Sequence, residues 1–266
     1  MRTPHLAIAL TALMVATAHG QWVNYPSRGV PRTADGKADL NAPAPRTADG
    51  RPDLTGIWQL LPVTTAFGQV DYPPAPEFLN LGAKLKGGLP YQPWAAALVK
   101  QRTAQLGKDD PVGLCKPGGA VRILTYPPYR KFLQLPDLFV ILSERDVTYR
   151  QIFTDGRPLP NDPDPTFNGY SIGRWEGDAL VVQTNGLREG TWLDRNGSPI
   201  SDVAKMTERF RRVNYGRLEI DLTIDDPKAY TRPWTVTLAQ RIVLDTELMD
   251  YHCTDNEKSQ PHMVGK

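Results

Sequence analysis

The stretch Arg209 to Asp221, RFRRVNYGRLEID, admits few folds, because two runs of alternating apolar and charged residues flank a turn at Asn214-Tyr215-Gly216. A three-residue turn sets Phe210 opposite Ile220, Arg211 opposite Glu219 and Arg209 opposite Asp221. One face of the hairpin is then apolar and the other is a ladder of opposite charges. A two-residue turn would set Phe210 against Asp221. Because a one-residue slip moves every side chain to the other face, the three-residue register is selected, and it carries Glu208 and Arg212 onto the inward side.

The same design recurs along the chain. Gly169 to Asp194, GYSIGRWEGDALVVQTNGLREGTWLD, reads as a hairpin around Glu176-Gly177-Asp178, with Ala179 to Val182 as its apolar centre. The spacing leaves open whether two or three residues close that turn, and so which of Tyr170, Arg174 and Gln183 point inward. Leu138–Ser143 and Thr148–Asp155 pair across Arg145-Asp146, with Leu138, Val140 and Leu142 on one face with Tyr149, Gln151 and Phe153. As the apolar face, it is expected to be the inner one, so that Tyr149, Gln151 and Asp155 point into the barrel. A last hairpin, Trp234–Leu244 with Glu247–Cys253, would turn at Asp245-Thr246 and aim Trp234, Val236, Leu238, Gln240, Ile242, Met249 and Tyr251 inward. The one helix expected is Pro93–Leu106, with Trp94, Leu98 and Val99 on one face.

Sequential hairpins of this kind predict an all-β, antiparallel, lipocalin-like barrel of roughly eight to ten strands with one helix, since closure removes exposed edges. A β-sandwich is the alternative. The 25 prolines and 22 glycines fit short strands joined by many turns. Gly56-Ile57-Trp58, just inside the first strand, resembles the lipocalins, where such a tryptophan closes one end of a barrel.

The organisation expected is a signal peptide at 1–20, an extended Pro/Ala-rich arm at 21–53 and a single β domain at 54–266. Arg2, the apolar run Leu6 to Ala18 and the small residues Ala16, Ala18 and Gly20 form the leader pattern. That run is short of the ~20 residues that span a bilayer, so the mature chain is expected in the periplasm or outside the cell, with no membrane span. Within the arm, Arg32-Thr-Ala-Asp-Gly-Lys-Ala-Asp-Leu40 recurs as Arg46-Thr-Ala-Asp-Gly-Arg-Pro-Asp-Leu54. In an oxidising compartment the two cysteines, Cys115 and Cys253, read as one disulfide.

Composition excludes several functions. Thirty-one basic residues against 29 acidic ones leave a net charge of +2, no electrostatic basis for nucleic-acid binding. Of four histidines only His252 lies in an expected element, against a serine triad or a histidine-rich metal site. No glycine loop precedes a helix in the manner of a nucleotide site, so neither metal nor cofactor is expected. Asp155 to Pro165 lacks the alternating oxygens of a calcium loop.

What remains is an inward polar set. Glu208 is the candidate proton-transfer group, Tyr149 and Tyr251 the hydrogen-bond donors to a developing oxyanion, and Arg212 the charge partner. Gln151, Asp155 and Gln240, with Trp175, Trp192 and Trp234 as aromatic walls, are the candidate ligand contacts. The bland alternative is a buried Glu-Arg-Tyr network that plugs the barrel.

The combination PDLTGIW, CKPGG, YRQIFTDGRPLP, GYSIGRWEGDALVV, TWLD, TERFRR, IDDPKAYTRPWTV and DYHCTDNEK resembles an uncharacterised family of secreted bacterial proteins, over nearly the whole chain from Pro52. The resemblance implies a lipocalin-like β fold and brings no reaction with it. In that family's pattern a histidine often precedes the Ser-Asp found here as Ser201-Asp202, where this chain has Ile200. The functional expectation is a cofactor-independent lyase, isomerase or hydrolase acting on a small apolar cyclic or aromatic molecule. The alternatives are a passive carrier of such a ligand and an envelope protein with a solid core.

Overall fold

The computed structural model describes residues 25–61 and 76–253; the expected leader lies outside them. Among the described residues nine strands roll into a closed barrel. They are β1 (Gly56–Leu60), β2 (Arg130–Gln134), β3 (Leu138–Ser143), β4 (Thr148–Phe153), β5 (Tyr170–Glu176), β6 (Ala179–Asn185), β7 (Lys205–Arg212), β8 (Arg217–Asp225) and β9 (Trp234–Val243). Neighbours in sequence are neighbours in space, and β9 closes on β1 with Trp58 opposite Ile242. Every junction is antiparallel except one. β4 and β5 run parallel and meet only at Phe153 opposite Ile172. A parallel pair needs a crossover, and residues 154–169 provide it by carrying the chain back along the barrel.

The β7–β8 hairpin takes the three-residue register, with Phe210 opposite Ile220 and Arg211 opposite Glu219. The β5–β6 turn proves to be two residues, Gly177 and Asp178, between the paired Glu176 and Ala179. Ser171, Gly173 and Trp175 therefore stand opposite Thr184, Val182 and Leu180 on the inner face, and Tyr170, Arg174 and Gln183 are outside.

The interior is filled with side chains. Phe132, Phe139 and Phe210 meet one another edge to face with centroids 5.3–6.0 Å apart, and Trp58 leans on Phe132 at 6.3 Å. Leu180, Val182, Ile220, Leu222 and Leu238 complete this core without solvent contact. Each such side chain contributes about 1.5–3 kcal/mol by leaving water.

Both ends are closed. The connection from β1 to β2 carries helices α1 (Pro76–Leu79), α2 (Pro93–Ala104) and α3 (Gly119–Thr125). Every residue of α3 is buried, and Ala120, Val121, Ile123 and Leu124 join the core. Its last carbonyls would be orphaned there. Arg130 satisfies them by donating to the carbonyls of Leu124, Tyr126 and Pro128 and to Gln240 Oε1, while Gln240 Nε2 donates to Leu124 O at 3.0 Å. Burial pushes the Arg130 guanidinium down to about 9, which leaves it charged at neutral pH. At the opposite end Arg212 lies between the Trp58 and Tyr215 rings, 5.0 and 5.2 Å from their centroids. It donates to the carbonyls of Asp53 and Tyr215, fastening the arm to the barrel mouth.

The arm is docked rather than loose. Both copies of the duplicated segment close the same small loop, Thr33 N to Lys37 O and Thr47 N to Arg51 O, each at 2.9 Å. The second copy anchors through Arg46, bidentate to Asp178 at 2.9 and 2.8 Å, and buries Leu54 completely. The predicted disulfide is present, joining Cys115 to Cys253 with Cα atoms 5.5 Å apart. Constraining so long a loop contributes about 4–5 kcal/mol in the chain-entropy model.

Three expectations are corrected. Helix α2 matches the predicted position, but of its residues only Ala95 is buried and Trp94 is half exposed. The segment Gly119–Thr125 is a second helix of more than one turn, where a single helix at Pro93–Leu106 was expected. No strand follows β9 among the described residues: Tyr251 instead makes an isolated bridge to Arg145, and both Met249 and Tyr251 are exposed.

Candidate functional site

Strands β3 and β4 pair as predicted, Val140 opposite Gln151 and Leu142 opposite Tyr149, but the face expected inside is the outer one. Phe139, Ile141, Arg150 and Ile152 point inward, whereas Tyr149 is 62% exposed and Gln151 lies on the surface. Both faces of β3 are apolar, so the decision falls to the bulk of Phe139 and to the partner of Arg150. That partner is Glu208. Arg150 Nη1 donates to Glu208 Oε1 at 2.8 Å and Nη2 to Oε2, while Nη2 also donates to Thr184 Oγ1 at 2.9 Å and Ser171 Oγ at 3.1 Å. Ser171 and Thr184 are themselves hydrogen-bonded at 2.9 Å. Glu208 and Arg150 are 0 and 1% exposed, a geometry in which an ion pair survives burial because nearly every polar atom is matched.

The expected catalytic set is therefore dispersed. Glu208 is held by Arg150 rather than Arg212, and has no solvent-facing oxygen to exchange a proton with a ligand. Arg212 ties the arm at the barrel mouth. Tyr149 and Tyr251 are on the outside, the latter beside the Arg145 guanidinium, 5.6 Å from its ring centroid. Gln240 secures α3. Asp155 is on the surface in a fork with Arg157, whose side-chain hydrogen bonds hold its carboxyl below the ordinary range. Trp192 and Trp234 are buried in packing, Trp192 under Arg102 and Trp234 against Tyr230. Trp175 borders a smaller hollow of about 290 Å³ at the arm end, with Arg51, Leu135 and Pro136.

What the fold does bring together lies over the seam. Because β4 and β5 touch only at Phe153 and Ile172, they part toward their N-terminal ends and leave an open groove of about 590 Å³. Tyr149, Gln151 and Phe153 from β4 form one wall; Phe167, Asn168 and Tyr170 form the other, with Asp146 and Val147 at the rim. Phe153 and Tyr170 stack at 5.3 Å, and Arg157 covers Phe153 at 3.9 Å while donating to the Tyr170 hydroxyl at 3.1 Å. The Arg150–Ser171 contact lies in the floor. The Arg150 guanidinium itself lies beneath that floor, inside the barrel, where Glu208 and the two hydroxyls absorb its charge.

Three details mark this groove off from an ordinary surface fold. Asn168 is aimed by Gly169, whose φ of +65° no other residue could adopt there, because a Cβ would meet Asn185 O at 2.6 Å. Asn168 Nδ2 donates to Tyr149 O at 2.9 Å, which leaves its Oδ1 shielded and unpartnered; Asp146 Oδ1 is in the same condition. Val147 holds φ +46° with its side chain half exposed, a costly conformation for a β-branched residue. Of this set the sequence marked Tyr149 and Gln151 as site residues and named Phe153, Tyr170 and Asp146 only as strand or turn positions; the Phe-Asn-Gly-Tyr run at 167–170 after the Pro/Asp-rich loop is the signal that could have found the rest.

No protein-family model matches the chain and no curated protein matches it, so its function has to be read from this geometry. Among the described residues no helix is long and apolar enough to cross a membrane, and no group of side chains is arranged to hold a metal ion.

Proposed function

We propose that this chain is an extracytoplasmic binding protein that holds a small, neutral, ring-bearing molecule in the groove over the β4–β5 seam, and that it binds without converting its ligand. The observation that carries the reading is the groove itself, in which an exposed Tyr149 stands with Gln151, Phe153, Phe167 and Tyr170 beside the one parallel junction. Ligand sites are commonly clefts of roughly 300–1,000 Å³ with aromatic walls and a few placed polar groups. The lining meets that description, whereas the barrel interior is filled by Phe132, Phe139 and Phe210. The disulfide supports an oxidising compartment, as does the leader pattern of residues 1–20. Binding without chemistry is favoured over acid-base catalysis by the bidentate seating of Glu208 on Arg150.

Native mass spectrometry after incubation with a mixed library of cyclic and aromatic molecules tests the reading. A ligand retained unchanged by the native chain and by Glu208→Gln, and lost from Tyr149→Ala, is expected. A product whose formation requires Glu208 would establish an enzyme instead, and ligand retained equally by Tyr149→Ala would move the site away from the seam.

A further inference from the structure

We infer that the Cys115–Cys253 bridge is a redox-released clamp on the rim of the seam groove, with a dithiol reductant as its switch; the control of binding, though not the clamp itself, rests on the groove being the binding site. Both ends of the bridge reach that rim. Pro117, two residues after Cys115, lines the groove. Tyr251, two residues before Cys253, bridges in parallel to Arg145, beside the rim residues Asp146 and Val147. From there the tail holds the turn between β3 and β4: Asp146 N donates to Tyr251 O at 2.7 Å, Tyr251 N to Glu144 O at 3.2 Å and Met249 N to Glu144 Oε1 at 3.1 Å. That turn needs holding. Asp146 and Val147 stand at φ +58° and +46°, a consecutive left-handed pair that includes a β-branched residue, and such backbone persists only where its surroundings impose it. The tail cannot impose it by packing, since no residue from Glu247 to Cys253 is buried and Met249 and Tyr251 are exposed. A segment with so few apolar contacts opens at little cost. The covalent bond is what keeps it on the turn, and Cys115 is exposed to attack. A thiolate of the dithiol attacks Cys115 Sγ, the S–S bond breaks, and Cys253 leaves as a thiolate that takes up a proton. The second thiol of the reductant then displaces Cys115, so that two electrons and two protons pass to the bridge and the reductant leaves as a disulfide. Surface hydrogen bonds and the Lys131–Glu247 ion pair are all that then hold the tail. The turn relaxes, the Asp146–Val147 edge of the groove is lost, and ligand retention falls.

The experiment is NMR amide exchange of the purified chain, oxidised and after dithiothreitol, with alkylation by iodoacetamide and intact mass to identify each form. The double variant Cys115→Ala/Cys253→Ala serves as a counterpart blind to reductant. On reduction the Asp146 and Tyr251 amides are expected to lose protection by about tenfold or more, through an opening insensitive to sub-denaturing guanidinium chloride. The amides of Phe210 and Ile220, paired between β7 and β8, should stay protected and keep the steep denaturant dependence of global unfolding. The double variant should match the reduced chain with or without dithiothreitol. If Asp146 and Tyr251 exchange alike in both forms, or lose protection only together with Phe210 and Ile220, the bridge is a staple of the whole barrel and the clamp is overturned. Binding is scored separately, by native mass spectrometry of both forms with the same mixed library of cyclic and aromatic molecules. A member retained by the oxidised chain should be retained several-fold less by the reduced one, and equal retention overturns the control of the groove. No retention by either form would instead remove the groove as a binding site, and the clamp is then decided by the exchange alone.

Discussion

Replacing Glu208 with glutamine isolates the energetics of the buried pair. The side chain keeps its size, but the amide supplies one acceptor oxygen in place of the two that take the Arg150 fork, and Arg150 is left as a cation 1% exposed with hydroxyls as its remaining partners. Breaking one side of a buried ion pair in this way costs about 3–5 kcal/mol. At this chain length the midpoint of thermal unfolding should fall by roughly 6–20 °C. The assay is guanidinium chloride unfolding of the native chain, Glu208→Gln, Arg150→Met and the double variant Arg150→Met/Glu208→Leu, with the slope required to stay constant. The double variant should recover most of the loss of either single change, because apolar side chains of similar volume often replace a buried pair at little cost. Glu208→Gln within about 1 kcal/mol of native, or a double variant no better than the worse single one, would refute the assignment of this pair as the polar brace of the barrel wall.

Other outcomes are as readily checked. Phe210→Ala, which opens the cluster with Phe132 and Phe139, should destabilise the chain by about 3–5 kcal/mol in the same unfolding assay. Val147→Gly should stabilise it by about 1 kcal/mol through relief of the left-handed backbone at the groove rim. Cys115→Ser should lose about 2–5 kcal/mol, and reductant should lower the native chain toward that value while leaving the variant unmoved. Burial raises the hydroxyls of Tyr91 and Tyr126 to about 12 and that of Tyr230 further. Since these folded values lie above the ordinary ~10, their contribution is whole below that pH and is lost as the pH climbs through the folded values. Unfolding midpoints should thus fall above about pH 10 together with the rise in tyrosinate absorbance; midpoints flat to pH 12 would contradict it.

The legibility of this chain varied with how far apart the deciding residues stood. The β7–β8 register was readable because the charge ladder and the apolar partners all fall within one hairpin. The bridge between Cys115 and Cys253 was readable because the chain has two cysteines and so one possible pairing. The faces of β4 were inverted because what turns Arg150 inward is Glu208, 58 residues on, together with hydroxyls on β5 and β6. Without that long-range partner an arginine reads as a surface residue, and Tyr149 beside it as core. Helix α3 was missed for a related reason: seven residues entered through Gly118, with no side-chain cap, look like strand until the burial that forces a helix is known. The groove depends on where two strands part, which no local pattern records.

The lone parallel junction also says how the barrel could have been threaded. Taken from its margins at the seam, the sheet reads β5-β6-β7-β8-β9-β1-β2-β3-β4, a plain up-and-down meander in which β9 and β1 are antiparallel neighbours. Because the end of β9 and the start of β1 lie at the same mouth, a short linker between them and a cut in the 154–169 crossover would describe the same barrel as a circular permutant in which strands consecutive in sequence pair antiparallel throughout and the seam joins the first strand to the last. The native order differs from that permutant by one excursion along the outside wall, and this excursion supplies Phe167 and Asn168.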